Sequence, residues 1–401
     1  MTCFIEVLPF ELNIVSIKNE QNDLINSALL RLLLYPALET ESPVEGFFYT
    51  LTQTRHEISL IIERNYYQRY FASSAAGIAS SSSSSSFSSC TQHQSALETA
   101  PGCWIALKAE GDLALSLVST PNTSSQAPQN TITLMAEPLN KAKISIFYHS
   151  SAISDFVLVE KHNLAKALAV LKASLGCQFE GIQHFHSDND ALSSEIAAAA
   201  LSLESSSPSP PPPLQNDDTL EPLMDVPSPT SHDMLINLLD TDPQGKAKQQ
   251  KEAQRTLIEN KKKETQQLKQ KTLFHNDYEL CLATIETERI SEIAMFLIKI
   301  LFYSFDIVDT SQRLLSITHT NDELSLVLPK KFVNMIPKHS LQASVDVWNC
   351  CEVKGPLDFE STGIVCSLSK KLYALNIPMF YLSTYFTDYA LIQGDPIKIK
   401  H

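Results

Sequence analysis

A polar turn near the C-terminal end of the chain has the composition to bind a small cationic group. Asp388 stands at the end of this turn, where strand-like alternation resumes and its neighbours should become buried. A carboxylate there can form parallel, charge-assisted hydrogen bonds with a guanidinium, and backbone carbonyls near Thr384 and Tyr385 can accept the remaining N–H groups. In the alternative interpretation, Asp388 is an Asx-type turn residue that stabilises only its own loop.

The segment before this turn suits an anion. Ser361 and Thr362 are natural N-cap residues, and Gly363 and Ile364 follow where an amphipathic helix is predicted to begin. The first N–H groups of a helix lie at the positive end of its dipole and have no partner within the helix, so they attract anions. Gly363 would let a ligand approach the backbone closely. A turn glycine before an ordinary helix is the alternative.

An internal duplication predicts which elements position these groups. Residues 52–60 align without a gap on residues 318–326, and residues 144–159 align on residues 377–392. In each copy a short polar turn separates two alternating segments, as in a β-hairpin. A segment with the helical spacing of apolar residues precedes each hairpin. The predicted order of units is therefore A-B-linker-A-B.

The predicted fold class is α+β, with four ferredoxin-like βαββαβ units in two tandem pairs and long disordered insertions. Units of about 70 residues are marginal alone, so they should pair and leave clefts where small ligands bind. The predicted units comprise residues 10–72, 101–187, 273–345 and 346–400, separated by a Ser-rich disordered loop at 73–100 and a disordered linker at 188–272.

The linker is rich in Pro and Ser and then in Lys, Gln and Glu. Within it, residues 234–239 form an apolar island that suits either a partner-binding peptide or a collapsed patch without function.

Composition argues against several classes of protein. The net charge is -14 over 401 residues, so the chain has no general attraction for nucleic acid or for anionic membranes. Phosphate-binding glycine loops and the hydrolase and metalloprotease motifs are missing, and the eight cysteines form no C-x-x-C pair. We therefore expect no enzyme, no cofactor and no metal. The absence of a basic signal-peptide region and of a membrane-length apolar segment predicts a cytoplasmic protein.

The turn Ser383–Leu391 and the segment Gly355–Val365 resemble the last ACT unit of the CASTOR family of cytosolic arginine sensors, and residues 144–159 resemble its second unit. The resemblance covers both ordered blocks and implies four ACT-like units, with free L-arginine bound between the second and the fourth. In that family the aspartate at the place of Asp388 holds the guanidinium.

The resemblance also implies a contact from the second unit. Ser145 corresponds to a family serine that contacts the amino-acid head of the ligand, and Ile146 lies beside it. A serine that bonds only to backbone is the alternative.

Two departures from the family pattern concern the ligand and the partner. The family has an acidic residue at the place of Ser361, whereas Glu360 precedes it here and Asp358 replaces a glycine. Glu360 or Asp358 could hold the ligand's ammonium group, or the ligand could differ. Ala152 and Ile153 replace an aromatic and a polar residue that in the family help to contact the GATOR complex, so the partner could be different or absent.

The function that follows is a non-enzymatic amino-acid sensor, which binds arginine and regulates a GATOR-like partner complex in target-of-rapamycin signalling. A homodimer is a further expected assembly. The alternative is an ACT-domain scaffold without a ligand, or a regulatory subunit for amino-acid metabolism. The predicted ligand-binding residues are Ser145, Ile146, Asp358, Glu360, Ser361, Gly363, Ile364, Thr384, Tyr385 and Asp388.

Overall fold

A computed structural model of the chain describes residues 4–19, 26–34, 47–72, 97–110, 131–185, 272–303, 313–343 and 347–393. All of them belong to one compact unit. The apolar island at residues 234–239, nearly all of the predicted linker and most of the predicted Ser-rich loop lie outside these ranges. None of the described helices is both long and apolar enough to cross a membrane.

The elements of the first block follow a repeated order. They are β1 Phe4–Val7, β2 Leu12–Lys18, α1 Asn26–Leu34, β3 Phe48–Thr54, β4 Glu57–Glu63, α2 Arg64–Tyr67 with a π-helical turn Gln68–Ala72, β5 Leu97–Thr99, β6 Trp104–Glu110, α3 Thr131–Lys141, β7 Phe147–Ser150, β8 Ser154–Glu160, α4 Leu164–Leu175 and β9 Gln178–Glu180. Short 3-10 turns occur at Lys161–Asn163 and Ile182–Phe185.

The second block repeats the central part of this order, without described counterparts of β1, α4 and β9. Its elements are β10 Thr272–Ile285, α5 Ile290–Tyr303, β11 Leu314–Thr320, β12 Leu324–Pro329, α6 Lys330–Val333, β13 Gln342–Ala343, β14 Trp348–Val353, α7 Ile364–Ala374, β15 Met379–Ser383 and β16 Asp388–Gln393, with 3-10 turns at Thr287–Arg289 and Lys338–Ser340. The order β-α-β-β thus recurs four times in the described residues. We name these repeat 1 (β2–β4), repeat 2 (β6–β8), repeat 3 (β10–β12) and repeat 4 (β14–β16).

One continuous sheet joins all four repeats. Repeat 1 meets repeat 3 through antiparallel β3 and β11, repeat 3 meets repeat 4 through β10 and β14, and repeat 4 meets repeat 2 through β15 and β7. Leu12 on β2 also pairs with Trp104 on β6, which links repeat 2 back to repeat 1. Each repeat therefore has a neighbour from the other block. Its strands can contribute side chains to the interfaces between the two blocks.

The helices pack in pairs across the blocks, with repeat 1 on repeat 3 and repeat 2 on repeat 4. Helix α1 packs on α5, and α3 packs on α7. The buried side of α1 consists of Ala28, Leu29, Leu32 and Leu33, which recur at the three- and four-residue spacing of one helix face. They join Leu297 and other residues of repeat 3 in one core cluster. Burying each such leucine stabilises the fold by about 1.5–3 kcal/mol.

A second core cluster lies where repeats 1, 2 and 4 meet. Trp104 and Phe147 of repeat 2 pack there with Phe48 of repeat 1, and Phe359 and Tyr385 of repeat 4 pack against them while partly buried. This aromatic cluster ties the loop before α7 and the turn before β16 to repeat 2.

The ordered elements extend slightly beyond the predicted boundaries. Strand β1 precedes residue 10 and pairs with β6 and β9, so it belongs with the second repeat rather than the first. Strand β5 forms within the predicted Ser-rich loop and pairs with β2. The physical reason is that Leu97 is buried against repeat 1, so the last residues of that loop take part in the core.

Candidate functional site

A cavity of about 540 Å³, including space open to solvent, lies between repeats 2 and 4. One wall comes from the end of α3 and the segment that leads into β7, and the other from the loop before α7 and the turn between β15 and β16. The predicted residues that line it are Ser145, Ile146, Asp358, Ser361, Gly363, Ile364, Thr384, Tyr385 and Asp388. Glu360, by contrast, is exposed and is not among the described residues that line the cavity.

Asp388 is a buried carboxylate that lines this site. It begins β16 and is only 6 % exposed. Burial raises its pKa to about 6, although hydrogen bonds from Tyr381 and Ser383 act in the opposite direction. The Tyr381 hydroxyl donates to Oδ2 at 2.8 Å. No described Lys or Arg forms an ion pair with it, and a buried charge without a partner is costly, so a cationic ligand would find an unneutralised acceptor here.

The turn that precedes Asp388 has a fixed backbone. The Thr384 N–H donates to the carbonyl of Thr387 at 2.8 Å, and the Thr384 hydroxyl donates to the same oxygen at 2.6 Å. The half-buried ring of Tyr385 lies edge-on to Phe359, with 5.0 Å between the ring centroids. The turn therefore presents Asp388 from a rigid support.

The start of α7 also lines the site. Gly363 is the N-cap, its φ is 86°, and no side chain caps the helix. The first backbone bond of the helix runs from the Ser367 N–H to the Gly363 carbonyl at 2.9 Å, so the N–H groups of the first turn have no acceptor within the helix. The expectation that Ser361 or Thr362 caps the helix is therefore wrong, because Gly363 adopts the left-handed conformation and occupies that position itself.

Asn140 and Phe359 line the same cavity, although sequence reasoning did not single them out. A Cβ added at Gly363 would lie 2.7 Å from Asn140 Oδ1, so the absent side chain of the glycine is what admits Asn140. Phe359 stacks on Phe147 with 6.3 Å between ring centroids. An asparagine near the end of a helix usually indicates only a C-terminal cap, and an aromatic in a loop carries no periodic signal, so neither could be found from spacing.

Ser145 connects the two walls. Its hydroxyl contacts the carbonyl oxygens of Phe359 and of Ser361, the latter at 3.1 Å. These are the backbone contacts foreseen in the alternative interpretation of this serine. They hold the loop before α7 across the seam, and the hydroxyl oxygen keeps lone pairs that can accept a hydrogen bond from an ammonium group.

Asp358 and Glu360 differ in their relation to the cavity. Asp358 lines it, and its Oδ1 accepts a hydrogen bond from the Glu360 N–H at 3.1 Å. Both side chains are exposed. Asp358 is thus the acidic side chain of this loop that the fold brings to the site.

Two segments of the chain, residues 100–173 and 343–398, match the model of the ACT domain. These segments contain both walls of the cavity. The chain is therefore an α+β protein that contains ACT-type segments.

The particular relatives are named as cytosolic arginine sensors. The chain is 28% identical over 129 residues to the "Cytosolic arginine sensor for mTORC1 subunit 1" of Mus musculus and 30% identical over 129 residues to that of Homo sapiens, in both cases over 29% of this chain. The predicted resemblance to this group is confirmed. The chain spans 39% of the length of these curated relatives.

Among solved structures, an aspartate kinase from Synechocystis aligns with this chain at 8% identity and a TM-score of 0.30. The alignment covers all of this chain and 54% of the kinase chain. A similarity this low supports no inference about this protein.

Proposed function

We propose that this protein is a non-enzymatic sensor of a free cationic amino acid, L-arginine, which binds in the cavity between repeats 2 and 4. The observation that carries the proposal is that a buried carboxylate without a described ion-pair partner, Asp388, and an uncapped helix start at Gly363 line one cavity. A free arginine has complementary charges at its two ends. Two further findings support the same ligand: the similarity to proteins named as arginine sensors, and the match of the segments that contain these residues to the ACT domain.

The proposed pose assigns one chemical group to each part of the site. Asp388 receives the guanidinium, with backbone carbonyls near Thr384 and Tyr385 as further acceptors. The first N–H groups of α7, beginning at Ile364, receive the carboxylate. Ser145 and Asp358 receive the ammonium group. Glu360 is left out because it lies outside the cavity.

We further propose that the four repeats are four ACT-like units in two tandem pairs. Three features support this: the recurrent β-α-β-β order, the paired helices, and the matches to the ACT model in repeats 2 and 4. Both walls of the cavity come from one chain, so a homodimer is compatible with the site but is not needed to complete it.

The proposed output is regulation of a partner complex in target-of-rapamycin signalling, in the cytoplasm. The names of the relatives describe them as cytosolic sensors for mTORC1, which supports this assignment. The turn between β7 and β8 carries Ala152 and the exposed Ile153, which is 52% accessible. An apolar residue there fits a partner surface whose chemistry differs from the one in the family.

Calorimetric titration of the purified chain with each of the twenty amino acids tests the proposal. We expect saturable binding of L-arginine with one site per chain and no comparable binding of neutral amino acids. Absence of binding by all twenty would contradict the sensor and favour the scaffold without a ligand. Saturable binding of a neutral amino acid alone would point instead to a regulatory subunit of amino-acid metabolism.

A further inference from the structure

The hairpin turns of repeats 2 and 4 are each held by a glutamate and a serine from the other block. In repeat 4, the Phe386 N–H donates to Glu57 Oε1 at 2.9 Å, and the Tyr385 N–H donates to Ser59 Oγ at 3.0 Å. Both acceptors lie on β4 of repeat 1. The turn that presents Asp388 is therefore anchored by a repeat that lines no part of the cavity, as far as the described residues show.

The turn of repeat 2 has the same device. The Ala152 N–H donates to Ser325 Oγ at 3.0 Å, and the Ile153 N–H donates to Glu323 Oε1 at 3.4 Å. Ser325 lies on β12 of repeat 3, and Glu323 immediately precedes that strand. In the internal duplication, residues 52–60 align on 318–326, which places Glu57 on Glu323 and Ser59 on Ser325. The two anchors are thus copies of one arrangement, but only the first holds a turn that lines the cavity.

Glu57 is entirely buried, and its second oxygen accepts a hydrogen bond from the Ser16 hydroxyl. Carboxylates are rarely buried unless they satisfy buried donors. Here the donors are the Ser16 hydroxyl and the Phe386 N–H, and the latter is a backbone group of a turn from another repeat that would otherwise lack a partner. Burial raises the pKa of Glu57, while the hydrogen bonds from Ser16 and Phe386 act against that rise.

We propose that Glu57 and Ser59 are positioning residues for the ligand site, which hold the turn of residues 383–388 so that Asp388 faces the ligand. The inference rests on the proposed function. Coupling free energies are reciprocal, so an anchor that favours ligand binding is itself strengthened when ligand binds. Repeat 1 therefore takes part in sensing, because ligand binding stabilises its docking on repeat 4.

The matched pair Glu57→Met and Glu323→Met tests this assignment. Each substitution replaces a buried glutamate at an equivalent position by an apolar side chain of similar size. Both variants should therefore lose a similar amount of folding stability. We expect Glu57→Met to weaken L-arginine binding about tenfold, since loss of one buried anchor corresponds to roughly one decade in affinity. Glu323→Met should leave the affinity within about twofold of wild type. Titration calorimetry measures both.

A conservative variant separates positioning from charge. In Glu57→Gln the amide oxygen can still accept from the Phe386 N–H, and the amide nitrogen can donate to Ser16. We expect Glu57→Gln to bind L-arginine nearly as tightly as wild type. If the methionine variants fold poorly, Ser59→Ala and Ser325→Ala form a milder pair with the same expected contrast.

Amide hydrogen exchange distinguishes a local effect from a general loss of stability. A general loss would speed exchange at both turns, whereas loss of one anchor should speed it at one turn only. Glu57→Met should speed exchange at Tyr385 and Phe386 and leave Ala152 and Ile153 unchanged, and Glu323→Met should do the reverse. Equal arginine affinities in the two methionine variants, with a wild type that binds, would overturn this inference alone. A wild type that binds no arginine would overturn the proposed function and this inference together.

Discussion

Asp388 and Asp155 occupy equivalent places in the turns of repeats 4 and 2; Asp388 is buried and Asp155 is partly buried. Burial raises the pKa of each to about 6 from an ordinary value of 3.8. Each has local donors, Tyr381 for Asp388 and Ser150 for Asp155, the latter at 2.6 Å. An acidic or amide side chain therefore satisfies these hydroxyl groups even without a ligand. What distinguishes Asp388 from Asp155 is that Asp388 lines the cavity.

Replacing Asp388 by Asn tests this distinction. The amide keeps the shape and can still accept from Tyr381, so the ligand-free fold should be as stable as wild type or slightly more stable, because no buried charge remains. Arginine binding should weaken by roughly 100-fold, about 3 kcal/mol, since a buried charge pair is lost. Thermal shift with and without L-arginine measures both effects.

The control for this experiment is Asp155→Asn, which changes the equivalent carboxylate of repeat 2, outside the cavity. It should keep the full arginine-induced rise in Tm. An equal loss of that rise in both variants would mean that the aspartates act through the fold and not through ligand contact.

The raised pKa of Asp388 also sets the sign of the pH dependence. In ligand-free protein the native state holds this proton more tightly than the unfolded chain, so the contribution of Asp388 to stability is complete below pH 3.8 and is lost as pH rises through about 6. Arginine binding has the opposite sign, because the guanidinium requires the ionised carboxylate.

We therefore expect the affinity for L-arginine to be constant above about pH 7 and to fall towards tenfold per pH unit below about 6, with one proton released per ligand bound at low pH. Titration calorimetry in buffers of different ionisation enthalpy measures that proton. Glu57 also has a raised pKa near this turn, so the Asp388→Asn variant serves as the reference. A flat affinity between pH 5 and 7.5 in wild type would contradict the assignment of Asp388.

At the scale of elements, periodicity predicts the helices and hairpins of the repeats but not the short strands β1 and β5. The helix predicted to begin at Gly363 and Ile364 is observed over residues 364–374, and the duplicated hairpins turn where their polar centres lie. These signals are local. Alternating apolar residues define a strand, and its partners within a hairpin follow from the turn.

The pairing between repeats could not be predicted in this way. The partnership of β3 with β11 and of β10 with β14 depends on edges that carry no distinct local pattern. The same limit applies to the site. Asp388 and Gly363 were found because their residue types suit a turn and a helix start, whereas Glu57 and Asn140 act across seams that only the folded sheet creates.

The close contact between Gly363 and Asn140 at the start of α7 can be tested by adding a side chain to the glycine. Gly363→Ala would place a Cβ at a φ of 86°, which costs about 1–2 kcal/mol, and would also bring it within 2.7 Å of Asn140 Oδ1. We expect a loss of stability in urea unfolding and a weaker affinity for arginine, because both the helix start and Asn140 must shift.

Gly176 offers a matched control, since its φ is 66° and an added Cβ would meet nothing within 4 Å. Gly176→Ala should show the strain alone and leave ligand affinity unchanged. The double variant Gly363→Ala with Asn140→Ala should regain part of the stability lost by the single one. If Gly363→Ala and Gly176→Ala behaved alike in both measurements, the close contact with Asn140 would have no energetic role.

At the scale of the whole molecule, the two cross-block docking surfaces carry opposite charges in equivalent turns, although Arg55 and Asp322 are one position apart in the duplication. In the turn of repeat 1, Arg55 Nη2 lies 3.0 and 2.9 Å from the two carboxylate oxygens of Glu352 on the first strand of repeat 4. In the turn of repeat 3, Asp322 Oδ2 lies 2.8 Å from Lys108 Nζ on the first strand of repeat 2. Docking within a block would bring like charges together, so this pattern favours the cross-block arrangement that builds the cavity.

The burial of these ion pairs determines how much each contributes to the free energy of unfolding. The Glu352 side chain is 3% exposed, and His275 Nε2 also contacts it at 2.8 Å, whereas the Asp322 side chain is 62% exposed. Arg55→Ala leaves a buried carboxylate short of its main counter-charge and should lower the free energy of unfolding by about 2–3 kcal/mol. Asp322→Ala removes an exposed partner and should cost less than about 1 kcal/mol.

Urea unfolding of the full chain measures both costs, and raising the salt concentration should reduce the smaller one further because exposed charges are screened. The double variant Arg55→Ala with Glu352→Gln should recover much of the loss, since it removes the stranded charge as well. Equal costs for Arg55→Ala and Asp322→Ala would mean that burial does not separate the two pairs. The charge pattern would then contribute to solubility rather than to the choice between cross-block and within-block docking.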